Sequence, residues 1–178
     1  MSSYDYDAHI ASIPDYPEKG VIFKDITPLF DDPAGIAAMT EDIAAAFAGK
    51  GVEKIVGAEA RGFMVGVPVA YKMDCGFVPA RKPGKLPRAV YSQSYSLEYG
   101  TDALEVHKDA FEPGEKVLVV DDLAATGGSA IATAKLVEKC GAEVVGFAFI
   151  LELAFLNPRE AIAKEYPGVE FFSLTQVN

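Results

Sequence analysis

The chain has 178 residues, half of them apolar and 24% charged, a composition suited to one folded unit with a substantial core. Its formal net charge of −10 argues against a nucleic-acid binder, and no apolar run approaches the roughly 20 residues that span a bilayer. The opening MSSYDYDAHI lacks a basic start and a long apolar block, so no secretory signal is expected, and the isolated Cys75 and Cys140 read as reduced thiols of a cytoplasmic protein.

Along the chain, strand and helix signals alternate. Asp32 before Pro33 predicts an N-cap with proline in the first turn, followed by Ile36, Met39, Ile43 and Phe47 on one face and a stop at Gly49 or Gly51. Ile55 to Ala58 reads as a short strand, Phe63 to Met73 as a helix interrupted by Pro68, and Gly76 to Ala80 as a second strand. Residues 82–95, rich in Pro, Gly, Ser and Tyr, read as a mobile loop. Between Tyr91 and Phe111 the alternation of Leu104 to His107, with a turn at Gly100-Thr101-Asp102, predicts a hairpin or flap. Val117 to Val120 is an unbroken apolar run of the kind buried on both sheet faces. A helix from Gly127 to Cys140 stopping at Gly141, a strand from Val144 to Leu151 and a short helix from Arg159 to Tyr166 complete the series. Short connections between alternating elements imply a mostly parallel sheet covered by helices.

Two features carry chemistry. From Arg61 to Arg88 the chain holds Arg61, Lys72, Arg81, Lys82, Lys85 and Arg88 against one acid, Asp74, so this segment is net +5 and the remainder −15. Such an island suits a small polyanion, or is a solvated face. The second feature is Asp121-Asp122-Leu123-Ala124-Ala125-Thr126-Gly127-Gly128-Ser129, placed right after the apolar strand, at the sheet edge where parallel α/β proteins bind ligands. Glycines at a helix start expose backbone N–H groups, and two hydroxyls add donors, which suits a phosphate monoester beside carboxylates that hold sugar hydroxyls. A capped helix with solvated acids is the bland alternative. No GxGxxG is present, and Gly84-Lys85 is followed by Leu86, so there is no Walker A loop.

The stretch VLVVDDLAATGGSA (117–130) resembles the phosphoribosyl-diphosphate signature of type I phosphoribosyltransferases. PDYPEKGVIFKDITPLF (14–30), IVGAEARGF (55–63), GFVPARKPGKLP (76–87) and SYSLEYGTDALEVHKDA (94–110) extend the resemblance across nearly the whole chain, to the adenine-specific branch of that family. The resemblance implies an α/β, Rossmann-like fold in one domain, 1–178, with a mostly parallel central sheet, a small hood from about residues 1–30 and a flexible flap loop at about 82–98. It further implies a homodimer that uses Mg²⁺, held mainly through substrate, to convert adenine and phosphoribosyl diphosphate into AMP and diphosphate, with no nucleic-acid or membrane partner.

By the same resemblance Ala125, Thr126, Gly127, Gly128 and Ser129 take the 5′-phosphate, while Asp121 and Asp122 face the ribose hydroxyls. Arg61, a catalytic residue by the same likeness, joins Arg81, Lys82 and Lys85 in holding diphosphate. Glu98 is the expected acid or base near the purine. Phe23 stacks on adenine, flanked by backbone groups of Ile22 and Lys24. Tyr95 and Tyr99 are candidates to cover the site, and Lys72 remains a solvated helix residue. Lys24 stands where relatives often carry Arg, Ser129 where Thr is usual and Ala124 where Leu is common. His9 and His107 lack a nucleophile partner and read as structural. Rival expectations are a different purine acceptor, a non-catalytic sensor of phosphoribosyl diphosphate and a nucleotide-binding module without turnover.

Overall fold

A computed structural model describes residues 2–96 and 100–178. Among the described residues nine strands and five α-helices follow in chain order: β1 (Ala11–Pro14), β2 (Ile22–Asp25), α1 (Thr27–Asp31), α2 (Pro33–Ala46), β3 (Lys54–Ala58), α3 (Arg61–Lys72), β4 (Gly76–Ala80), β5 (Val90–Ser96), β6 (Thr101–His107), β7 (Lys116–Ala124), α4 (Gly128–Lys139), β8 (Glu143–Leu153), α5 (Pro158–Glu165) and β9 (Glu170–Val177). Five strands form one parallel sheet in the order β4-β3-β7-β8-β9, while β1-β2 and β5-β6 are separate antiparallel hairpins.

The apolar run of β7 explains the layering. Val117 and Val119 enter one buried cluster with Ala130, Ala134 and Val137 of α4 and with Leu104 and Val106 of β6. Leu118 and Val120 enter the opposite cluster with Met39 and Ile43 of α2 and Val65 and Val69 of α3. Side chains of a strand alternate between faces, so a strand with helices on both sides must be apolar at every position. Each of these four residues is almost wholly buried.

Local chemistry sets the element ends. Asp32 caps α2 by accepting from the Ala34 amide at 2.9 Å, with Pro33 in the first turn as expected. Pro68 lies inside α3 without ending it. Gly141, at φ +84°, follows α4 as expected.

Three expectations need correction. Asp121 and Asp122 lie within β7, because pairing with β8 continues through Ala124 opposite Glu152. The segment expected to be a mobile loop at 82–95 contains β5 from Val90 to Ser96, each residue paired with β6 in the hairpin expected between Tyr91 and Phe111. The turn expected at residues 100–102 is shorter, since Thr101 and Asp102 already belong to β6. In all three cases cross-strand pairing extends a strand past the point where local composition suggests an end.

Candidate active site

Alternation along β7 continues past its apolar run and aims the two acids at different helices. Asp121 Oδ2 accepts from the Ser129 hydroxyl in the first turn of α4 at 3.3 Å. Asp122 Oδ2 pairs with Arg61 Nε at 2.7 Å, at the first residue of α3. Both carboxylates are buried, being 8% and 6% exposed. Burial pushes the Asp121 carboxyl well above the ordinary carboxylate range, and the adjacent charge of Asp122 adds to the effect. Burial raises Asp122 as well, against the pull of Arg61.

Gly62 eases this proximity. A Cβ there would come within 3.1 Å of Asp121 Oδ1 and 3.2 Å of the Val120 carbonyl, so a side chain would crowd the start of α3 against β7. Gly127 serves the neighbouring loop. It precedes α4 with φ +83°, a left-handed conformation natural to glycine, and a Cβ would meet Ile162 of α5 at 3.2 Å. Gly127 at the N-cap of α4 brings no side-chain cap, so among the described residues the first backbone amides of the helix are open to an anion.

These groups enclose a cavity of about 270 Å³ lined by Glu59, Arg61, Asp121, Asp122 and the loop from Ala125 to Ser129, with Leu123 and Tyr95 also on its wall. Every residue expected to hold ribose and 5′-phosphate is therefore in one place, joined by Arg61. The same arginine borders a second cavity of about 380 Å³, beside the β1-β2 hairpin, with Ile13, Tyr16, Phe23, Asp25 and Thr27. Its guanidinium carbon lies 5.6 Å from the centre of the Phe23 ring, within cation–π range. Phe23 therefore shares Arg61 with the first cavity, whereas Ile22 is largely exposed and Lys24 Nζ donates to Ser12 Oγ at 2.8 Å.

Arg81, Lys82 and Lys85 lie beside the cavity and not on its wall. They meet the wall through Glu59, a residue that sequence reading passed over. Glu59 accepts from Lys85 Nζ at 2.6 Å, from the Lys82 amide at 2.9 Å and from Arg81 Nε at 3.3 Å. The Lys85 hydrogen bond, followed by the Lys82 amide and the Arg81 side chain, holds the Glu59 carboxyl down at about 2. The available signal was a glutamate directly after a buried strand in a chain whose cations cluster within 61–88. Lys72 pairs with Glu41 at 2.9 Å on the surface, as a solvated helix residue does. His9 approaches Asp32 at 3.6 Å, in keeping with a structural part. Glu98 and Tyr99 lie outside the described residues.

Residues 26–177 match the model of the phosphoribosyl transferase domain. The chain belongs to the phosphoribosyltransferase family. Among phosphoribosyltransferases it is similar to the adenine phosphoribosyltransferase of Gloeobacter violaceus, 54% identical over 169 residues that cover 95% of this chain and 99% of the other. Its fold matches the crystal structure of adenine phosphoribosyltransferase from Thermoanaerobacter pseudethanolicus with a TM-score of 0.90 at 47% identity, covering 97% of this chain and 98% of that one. It likewise matches the Saccharomyces cerevisiae adenine phosphoribosyltransferase complexed with an imino-altritol bisphosphate and adenine, with a TM-score of 0.86 at 35% identity, covering 95% and 96%. The expected Rossmann-like phosphoribosyltransferase fold, with its parallel central sheet flanked by helices, is thus the one observed.

Proposed function

We propose that this protein transfers the 5-phosphoribosyl group of phosphoribosyl diphosphate to N9 of adenine, giving AMP and diphosphate in purine salvage. The observation that carries the reading is the meeting of three elements at one cavity: the buried Asp121–Asp122 pair, the uncapped start of α4 and Arg61. A sugar phosphate fits the first two, and the arginine adds a planar donor for a leaving diphosphate. The relatives support adenine as acceptor, since the yeast protein is complexed with adenine and the Giardia lamblia enzyme, 34% identical, with 9-deazaadenine.

Displacement at the anomeric carbon passes through a cation-like sugar, so the protein acts by positioning and by stabilising charge. Ala125 to Ser129 anchor the 5′-phosphate. Asp121 and Asp122 accept from ribose hydroxyls and face the developing positive charge. Arg61, assisted from the adjoining loop by Arg81, Lys82 and Lys85, holds diphosphate as it leaves. Glu98 exchanges a proton with the purine ring. Phe23 stacks on the base, and backbone groups of Ile22 and Lys24, its neighbours in β2, read the edge of the base.

Mg²⁺ fits as an ion brought with the substrate. The donor set here is two adjacent aspartates, and among the described residues no cluster of three or more His, Cys, Asp or Glu could cage a metal. Asp121 and Asp122 would hold the hydroxyls or waters around it, and the bound ion would neutralise the leaving group.

A homodimer is part of the same proposal. Met64, Val67 and Tyr71 form an exposed apolar stripe on α3, Tyr71 being 90% exposed, and a second copy of this face is the natural cover. Val67→Asp is expected to shift sedimentation toward the monomer; an unchanged sedimentation profile would remove α3 from the interface. No described helix is long and apolar enough to cross a membrane. The cytoplasm is the proposed compartment, supported by two free cysteines.

The direct test mixes purified protein with phosphoribosyl diphosphate, Mg²⁺ and each purine base and follows diphosphate release. Adenine is expected to be the preferred acceptor. Turnover with guanine or hypoxanthine alone would overturn the acceptor, and binding without turnover would make the protein a sensor.

A further inference from the structure

The β5-β6 hairpin carries a polar cluster that the reaction above does not explain. Tyr95 and Asp102 face each other in its register. Lys82 Nζ donates to Asp102 Oδ2 and, at 3.3 Å, to the Tyr95 hydroxyl, and it lies 5.8 Å from the centre of the Tyr95 ring. The Tyr95 hydroxyl donates to the same Asp102 oxygen at 3.3 Å.

The backbone here is held by hydrogen bonds of its own, separate from those of the ammonium. Arg81 and Glu105 exchange two backbone hydrogen bonds of 2.8 Å, and the Lys82 amide is tied to Glu59 on the cavity wall. A lysine is a compact charge on a flexible stem, so the ammonium can move while its backbone stays in place. The pair it makes with Asp102 is partly solvated, the two side chains being 34% and 28% exposed. Ion pairs of that kind are weak, and a multiply charged phosphate can outcompete one carboxylate.

We propose that Asp102 is a positioning residue for Lys82: it parks the ammonium on the hairpin while the site is empty and competes for it with the diphosphate group. The inference rests on the reading of Lys82 as a diphosphate contact. Its consequence is a site that holds both phosphoribosyl diphosphate and released diphosphate less tightly than its cations alone would allow. A simple repulsive field from Asp102 would also weaken polyanion binding, but it would act whether or not residue 82 is a lysine. Competition for the ammonium disappears with the lysine.

The test measures KM for phosphoribosyl diphosphate and product inhibition by diphosphate on the full chain. Asp102→Asn and the strand-compatible Asp102→Thr are expected to lower both constants by about two- to fivefold. Asp102→Glu is expected to restore wild-type values, and in a Lys82→Gln background Asp102→Asn is expected to change nothing. Equal tightening in that background would show a plain field effect and overturn the proposal. Unchanged or raised constants in both Asp102 variants, with Lys82→Gln raising them, would overturn it while leaving Lys82 at the diphosphate. Wild-type constants in Lys82→Gln would remove Lys82 from the diphosphate site, and the proposal with it.

Discussion

Asp121–Asp122 and Glu59 line the same cavity, yet the fold treats their charges in opposite ways. The aspartates sit side by side in a buried strand with one cation, Arg61, between them and neutrality, and their carboxyls are pushed up. Glu59 gathers three donors and is pushed down to about 2. The first arrangement leaves two adjacent buried carboxylates to share one cation, whereas the second gives a single carboxylate three donors. In one cavity, the aspartate pair is the costlier to bury, and the fully paired glutamate ties the wall to the basic loop.

The strongest way to break that contrast is to neutralise the pair. Asp121→Asn with Asp122→Asn is expected to lower kcat/KM by about 100-fold or more, with a folded protein by circular dichroism. Kinetics near wild type would assign the strain to structure alone. Arg61→Ala comes next, with an expected loss of about 10- to 100-fold in kcat/KM, because Asp122 loses its cation and diphosphate its planar donor; a normal rate would leave Arg61 as a charge balance only.

Glu59→Gln is expected to act on affinity. Loosening Arg81 and Lys85 should raise KM for phosphoribosyl diphosphate by about three- to tenfold with a smaller change in kcat, as measured by initial rates. A drop in kcat with constant KM would instead place Glu59 in the chemical step.

The smallest effects appear in melting curves of the unliganded protein against pH, and the two regions should differ in sign. Glu59 has a lowered carboxyl, so its contribution is present above its ordinary value of 4.5 and is lost as pH falls through about 2. Asp121 has a raised carboxyl, so its protonated form favours the fold, and that contribution is full below 3.8 and lost as pH rises through its elevated folded value. Asp121→Asn should therefore melt higher than wild type at neutral pH by a few degrees, with the gap closing in acid. A variant that melts lower at neutral pH would show that the carboxylate is better paired than its burial suggests.

Much of this was legible in the residues. The helix of Asp32-Pro33, the doubly buried Val117 to Val120 and the glycine turn at Gly127 each depend on chemistry within a few positions, and each is found as read. The parts that escaped depend on distant partners. The hairpin expected between Tyr91 and Phe111 is present, but its first strand, Tyr- and Ser-rich from Val90 to Ser96, reads locally as loop until β6 pairs with it. β9 carries Ser173, Thr175 and Gln176 in a parallel sheet and gives only a weak strand signal, its polarity explained by its edge position beside β8. Glu59 was equally silent, because a glutamate is usually solvated and its importance comes from Arg81 and Lys85, more than 20 positions along the chain. The meeting of Arg61 with Phe23 across 38 positions likewise required the tertiary fold.

That meeting limits what mutagenesis can separate. Arg61 is a party wall: one guanidinium closes the carboxylate-lined chamber on its Asp122 side and the aromatic chamber on its Phe23 side. Any replacement remodels both rooms together, so the effects of Arg61 and Phe23 substitutions will not add. The departure from additivity, obtained from the double variant, measures how firmly the two halves of the site share their partition.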